Sequence, residues 1–149
     1  MKGIYNYQFL NEKLSSSGMP TAEQMKEVAE AGTQVVINLA PATVKDALPN
    51  EDSLVQSLGM TYVHIPVEWN HPTQQNLEDF FTAMDEHREE KVLVHCQANY
   101  RASSFVMLYR VRKLGWKKEE AIAVMEKMWN PEDSPVWGKF VDENLLGEA

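Results

Sequence analysis

The sequence predicts a single α/β domain, residues 1–149, built on a mostly parallel sheet of about four to five strands flanked by helices. Three observations predict it. Short β-branched apolar runs alternate with longer stretches whose apolar residues recur at the helical period. The 149 residues, 44% of them hydrophobic, suffice for one core that folds alone. No repeat, low-complexity segment or linker divides them.

Along the chain, an early strand is expected over residues 4–9, with "SSSGMP" breaking it. Thr21 and Gln24 form a capping box for a helix with Met25, Val28 and Ala29 on one face and Gly32 as its stop. "QVVINLA", 34–40, is a β-branched run closed by Pro41. Asn50 caps a second helix with Leu54, Val55 and Leu58 apolar, ending at Gly59. "TYVHIPV", 61–67, is the next strand. Thr73 starts a third helix in which Leu77, Phe80, Phe81 and Met84 share a face, with Glu78, Asp79, Asp85 and Glu86 outside. "KVLVH" is a clear strand, and a helix from about 102 to 114 follows, stopped by Gly115. Helices near 117–129 and 135–146 finish the domain. Met107, Met125 and Met128 fall at helical spacing as core filler, and His64 is expected to be hydrogen-bonded in the core.

Composition narrows the function. No apolar run approaches the roughly 20 residues of a membrane helix, and "MKGIYNYQFLNEK" lacks a signal peptide's apolar region. Cytoplasm is the expected location, although a chain trimmed of its signal would look the same. A net charge of −8 argues against nucleic acid or an anionic membrane as partner. It is compatible with an anionic small substrate, because a local nest of amides can override the global field. The one cysteine has no internal disulfide partner. With His64, His71, His87 and His95 it shows no zinc spacing, so neither metal nor other cofactor is expected. The sequence is silent on oligomeric state.

The chemistry gathers in "KVLVHCQANYRASSF", residues 91–105, between a strand and a helix. In such sheets ligands bind beyond the carboxyl ends of the strands. A cysteine before a helix meets free amides and the positive end of the dipole, which favour a thiolate. Arg101 adds a planar donor fork suited to two oxygens of a phosphate. Asn99 is the residue best able to take a left-handed backbone in a tight loop. Ser103 and Ser104 open the helix and offer hydroxyls to a departing sulfur, while His95 orients loop carbonyls. A lone cysteine at a strand end is most often buried filler; Arg101 and the strand–loop–helix context argue for function.

"HCQANYRAS" resembles the signature of the cysteine-dependent, dual-specificity-type phosphatases, H-C-x-x-G-x-x-R-[S/T]. With "SSSGMPTAEQMKEVAEAGTQVVINLA" and "YVHIPVEWNHPT" before it, the chain is most similar to their small bacterial β-lactamase-hydrolase-like branch over residues 4–128. The resemblance implies that Cys96 is the nucleophile of a phosphocysteine. Arg101 would grip the phosphate, and the amides of Gln97, Ala98, Asn99, Tyr100, Arg101 and Ala102 would cradle its oxygens. Asn99 occupies the family's glycine position. Ser103 matches the family's serine or threonine counted from the cysteine, and Arg101 arrives one residue early. That shorter spacing is the length found in rhodanese sulfurtransferases, so a Cys96 persulfide is the alternative. The family's general-acid aspartate is absent between 68 and 73, where Glu68 is the nearest carboxyl, His71 the other candidate, and Trp69 a lining residue. Without a working acid the chain would be a weak enzyme or an idle phosphate-binding module. The implied partner is a phosphorylated small molecule or phosphoprotein.

Overall fold

The computed structural model describes residues 3–146. Five strands form one sheet in the order β1-β2-β5-β3-β4: β1 (Gln8–Asn11), β2 (Leu14–Ser17), β3 (Val35–Asn38), β4 (Thr61–His64) and β5 (Val92–His95). β1 runs antiparallel to β2, and the other three pairings are parallel. The helices are α1 (Ala22–Glu30), α2 (Glu51–Ser57), α3 (Gln74–Glu86), α4 (Tyr100–Arg112), α5 (Lys118–Glu126) and α6 (Pro135–Leu146), with a 3-10 turn at Pro131–Asp133. The single-domain α/β class read from the sequence is the class observed.

Side chains alternate across a strand, so each strand feeds two cores. Val35, Ile37, Val92 and Val94 point into the larger one, with Leu77 and Phe80 of α3, Phe105 of α4 and Trp137 of α6. Val36 and Leu93 point into the smaller one, with Met25 and Val28 of α1 and Val55 of α2. β5, between β2 and β3, is buried along its whole length. The chain visits β2, β3 and β4 before returning to fill the middle with β5, so the loop leaving β5 opens at the point where the winding reverses.

Local signals held where they were self-contained. Thr21 accepts from the Gln24 amide at 3.1 Å and Gln24 returns the bond. Thr73 does the same with Asn76. Four expectations shift. The strand expected at 4–9 begins at Gln8, and the "SSS" expected to break it lies inside β2. Pairing on both sides buries those serines and overrides their weak strand preference. Asn50 does stand at the start of α2, but in a left-handed conformation (φ 54°) with no side-chain cap. α4 begins at Tyr100 rather than near 102, which takes Arg101 into its first turn. Met107 and Met125 are core, as expected, and Met128 is half-buried. His64 instead lies on an exposed face of β4, where its Nε2–H donates to the Ala40 carbonyl at 2.7 Å. Arg110 is buried against the Trp116 ring at 4.1 Å, and burial lowers its pKa. No helix among the described residues is long and apolar enough to cross a membrane.

Phe80 is fully buried and meets Phe105 edge-on at 5.6 Å. Phe80→Ala is expected to cost about 3–5 kcal/mol, read as a lower urea midpoint with an unchanged slope.

Candidate active site

Cys96 follows β5 directly and has no exposed surface. The loop after it is held by its carbonyls. The His95 ring lies 3.3 Å from the Cys96 oxygen. The Met19 amide donates to the Gln97 oxygen at 3.0 Å. Asn6 Nδ2 donates to the Ala98 oxygen at 2.9 Å. Carbonyls fixed outward leave amides to face inward. Among the described residues the amides of Gln97 and Ala98 have no acceptor, and those of Tyr100, Arg101 and Ala102 are first-turn donors of α4 that no helical carbonyl can reach. This is the geometry of an anion cradle.

Asn99 closes the turn with φ 70°, the left-handed backbone the sequence anticipated. Its Nδ2 donates to the Asn6 carbonyl at 2.8 Å and to Ser16 Oγ at 3.0 Å. Asn6 and the Ala98–Asn99 segment thus clasp one another across the N-terminal turn. Gly18 is required beneath this clasp, because a Cβ there would stand 2.8 Å from the Gln97 oxygen. Sequence reasoning missed Asn6 and Gly18 as parts of the site, since a single asparagine and a turn glycine carry no motif.

Arg101 is buried, and its Nε has no hydrogen-bond partner among the described residues. Its guanidinium lies 5.3 Å from the Trp69 ring centroid. Together with Gln97, Ala98 and Tyr100 these two side chains line an open pocket of about 390 Å³. An adjoining pocket of about 690 Å³ shares Trp69 and Tyr100 and adds Trp129 and Asp133. Trp69 is anchored from behind: it stacks on Trp137 at 5.4 Å, and its carbonyl accepts from Trp137 Nε1 at 2.8 Å. It is both a wall of the pocket and a packed core residue.

The remaining expected site residues are dispersed. Glu68 and His71 are exposed and form the ends of a tight turn, the His71 amide donating to the Glu68 carbonyl at 3.0 Å. Neither lines the pocket of Gln97, Ala98 and Arg101. Ser103 donates to the Tyr100 carbonyl at 3.3 Å and lines a narrow cavity toward Arg110 and Met125. Ala102, not Ser103, follows Arg101 in the helix. Ser104 also turns back on the Tyr100 carbonyl, at 2.9 Å, and accepts from Trp129 Nε1. No group of three His, Cys, Asp or Glu among the described residues could hold a metal ion.

His95 has a second partner that no motif announced. Its Nε2 lies 2.5 Å from Glu51 Oε2, and both side chains are buried. Glu51 Oε1 accepts from Asn38 Nδ2 at 3.2 Å, and the same amide donates to the Tyr62 hydroxyl at 3.1 Å. Burial pushes the Tyr62 phenol up to about 12; the Asn38 bond opposes this, and the Glu51 and Asp52 carboxylates add to it.

Known proteins match this arrangement. The profile of the family described as a DSP-PTPase phosphatase fused to NAD+ kinase matches residues 8–136. The chain belongs to that family. A candidate phosphatase of the DUF442 group from Shewanella putrefaciens CN-32 has a similar solved structure: 42% identity, TM-score 0.86, covering 96% of this chain and 90% of that one. A similar fold, at 16% identity and TM-score 0.70, is found in P. aeruginosa TpbA bearing a cysteine-to-serine substitution and bound to phosphotyrosine; 99% of this chain and 98% of that one are covered. A β-lactamase hydrolase-like protein of Xylella fastidiosa is 29% identical over 118 residues, 77% of this chain and 27% of that protein. This phosphatase-family chain therefore spans about a quarter of the curated relative it matches.

Two outcomes follow for the phosphatase fold around the loop. Asn99→Ala loses both the clasp and the tolerated left-handed backbone, whereas Asn99→Gly loses only the clasp; the alanine variant is expected to be less stable by about 1 kcal/mol in urea unfolding. Tyr62 has a folded pKa of about 12 against an ordinary 10.0, so its share of stability is complete below about pH 10 and disappears as pH rises toward 12. Unfolding midpoints should fall over that window, and Tyr62→Phe should flatten the fall.

Proposed function

We propose that this chain hydrolyses phosphate monoesters through a phosphocysteine on Cys96. One observation carries the proposal: a buried arginine with an unsatisfied Nε stands beside a turn of unpaired amides, at the end of the strand that bears the thiol. Such a donor set suits three phosphate oxygens. Membership of a phosphatase family, and a like-folded relative with phosphotyrosine bound, support phosphate over sulfur as the element transferred.

The chemistry is a double displacement. The substrate phosphate seats among the amides of Gln97 to Ala102, with Arg101 on two of its oxygens. The Cys96 thiolate attacks phosphorus, an S–P bond forms, and the P–O bond to the leaving group breaks. The leaving oxygen takes a proton from a carboxylic acid. Water then attacks phosphorus and gives a proton back to the carboxylate left by the first step, the S–P bond breaks, and inorganic phosphate departs as the thiolate returns. Cys96 is closed to solvent, so the cradle must part as phosphate enters. Glu68, at the end of the loop that carries Trp69, is the proposed acid; Asp133, which lines the adjoining pocket where Glu68 does not, is the other carboxyl to test. The substrate is a phosphorylated small molecule or phosphoprotein.

The sealed thiol and the exposed Glu68 favour one other reading, a cradle that binds phosphate without turning it over. The experiment separates the two. Between about pH 5 and about pH 8, p-nitrophenyl phosphate turnover is expected to vanish in Cys96→Ser, and Glu68→Gln to lose about a hundredfold or more with poor leaving groups but little with good ones. The same loss in Asp133→Asn instead of Glu68→Gln would reassign the acid. Calorimetric phosphate binding with no turnover selects the idle module. Persulfide mass on Cys96 after thiosulfate selects sulfur transfer.

A further inference from the structure

The geometry points to Glu51 as a positioning residue of the active site: a buried carboxylate on α2 that holds the His95 ring against the Cys96 carbonyl and so sets the attitude of the nucleophile loop. The inference rests on the phosphatase reading for its kinetic consequence, though not for its structural one. Glu51 is 5% exposed, His95 is fully buried and Asn38 is 4% exposed, so none of the three is held in place by solvent. A buried carboxylate without partners would be costly, and this one has two: Nε2 of His95 at 2.5 Å and Nδ2 of Asn38 at 3.2 Å. Asn38 is itself fixed, its Oδ1 accepting from the Ala40 amide at 2.9 Å.

The partners determine the ring's orientation. Glu51 faces Nε2 and the Cys96 carbonyl faces Nδ1. The carbonyl can only accept, so Nδ1 carries the proton of that bond. The Glu51 carboxyl bonds Nε2 on the other side and so leaves Nδ1 to the carbonyl. The Nδ1–H holds the Cys96 carbonyl outward, the first of the three carbonyl anchors of the cradle. The other charged or titratable groups around the pair are Asp52 beside Glu51 on α2, and Tyr62 and His64 on β4, which line the same outer pocket as Glu51. Cys96 follows His95 directly, and Arg101 lies in the first turn of α4. None of these is hydrogen-bonded to the ring among the described residues.

Glu51 touches neither the substrate pocket nor the thiol, so its effect travels through His95. Glu51→Gln preserves size and the bond to Nε2 but removes the charge. In the full chain, kcat for p-nitrophenyl phosphate is expected to fall by about tenfold to a hundredfold, the range of one charge-assisted hydrogen bond. KM should change less, and the pH profile should shift. Glu51→Asp, one methylene short, is expected not to restore the rate. Nitrogen-detected NMR of the histidine ring reads the arrangement directly, with no variant required. Nδ1 of His95 should carry a proton, and the proton shared by Nε2 and Glu51 should lie far downfield, a resonance that Glu51→Gln should lose. A His95 without that downfield proton in the unsubstituted protein would overturn the inference, as would Glu51→Gln turnover within twofold of the unsubstituted protein. If that protein turns over no phosphate ester, the NMR spectrum still decides the role of Glu51, and the proposed function fails separately.

Discussion

The site depends on which way a handful of backbone carbonyls face. A loop that binds an oxyanion must present its amides together, and it can do so only if its carbonyls are satisfied elsewhere. Here the oxygens of Cys96, Gln97 and Ala98 are taken by the His95 ring, the Met19 amide and the Asn6 side chain. Three separate segments contribute, so the loop's conformation is a property of the fold. The left-handed Asn99 completes the reversal and is tied to the same N-terminal turn.

The sheet explains why those segments meet. β5 lies between β2 and β3, and its loop emerges beside the end of β2, where Gly18 lets the two backbones approach. On the opposite side β3 and α2 deliver Asn38 and Glu51 beneath His95. The aromatic group of Trp69, Tyr100, Trp129 and Trp137 closes the third side, with ring centroids 4.8–6.4 Å apart. α4, buried from Arg101 to Val111, is the rigid post that carries the arginine. Behind them the Cys96 side chain is fully covered.

Much of this was legible before the fold was known, and for a physical reason. Caps, periodicities and the cysteine motif are local: Thr21 needs only Gln24, and α3 needs only its own apolar stripe. The thiol's place at a strand end, the arginine in the following helix, the left-handed asparagine and the fold class follow from residues adjacent in sequence. Expectations shifted where a partner lay far along the chain. "SSS" became a strand because β5, far along the chain, pairs with it on one side and β1 on the other. Ser103, placed by counting from the cysteine, turns toward Arg110, because the helix begins at Tyr100 and rotates that position away from the pocket.

What the sequence by itself determined is the chemistry at hand: one thiol, one guanidinium five residues on, and a strand–turn–helix to set them at a sheet's carboxyl edge. What only the tertiary structure decided is how that chemistry is held. Asn6 is 93 residues from Asn99, and Glu51 is 44 from His95. Neither pairing has a spacing rule, because hydrogen bonds between distant segments are fixed by the order in which strands pack, and that order is written in no local pattern.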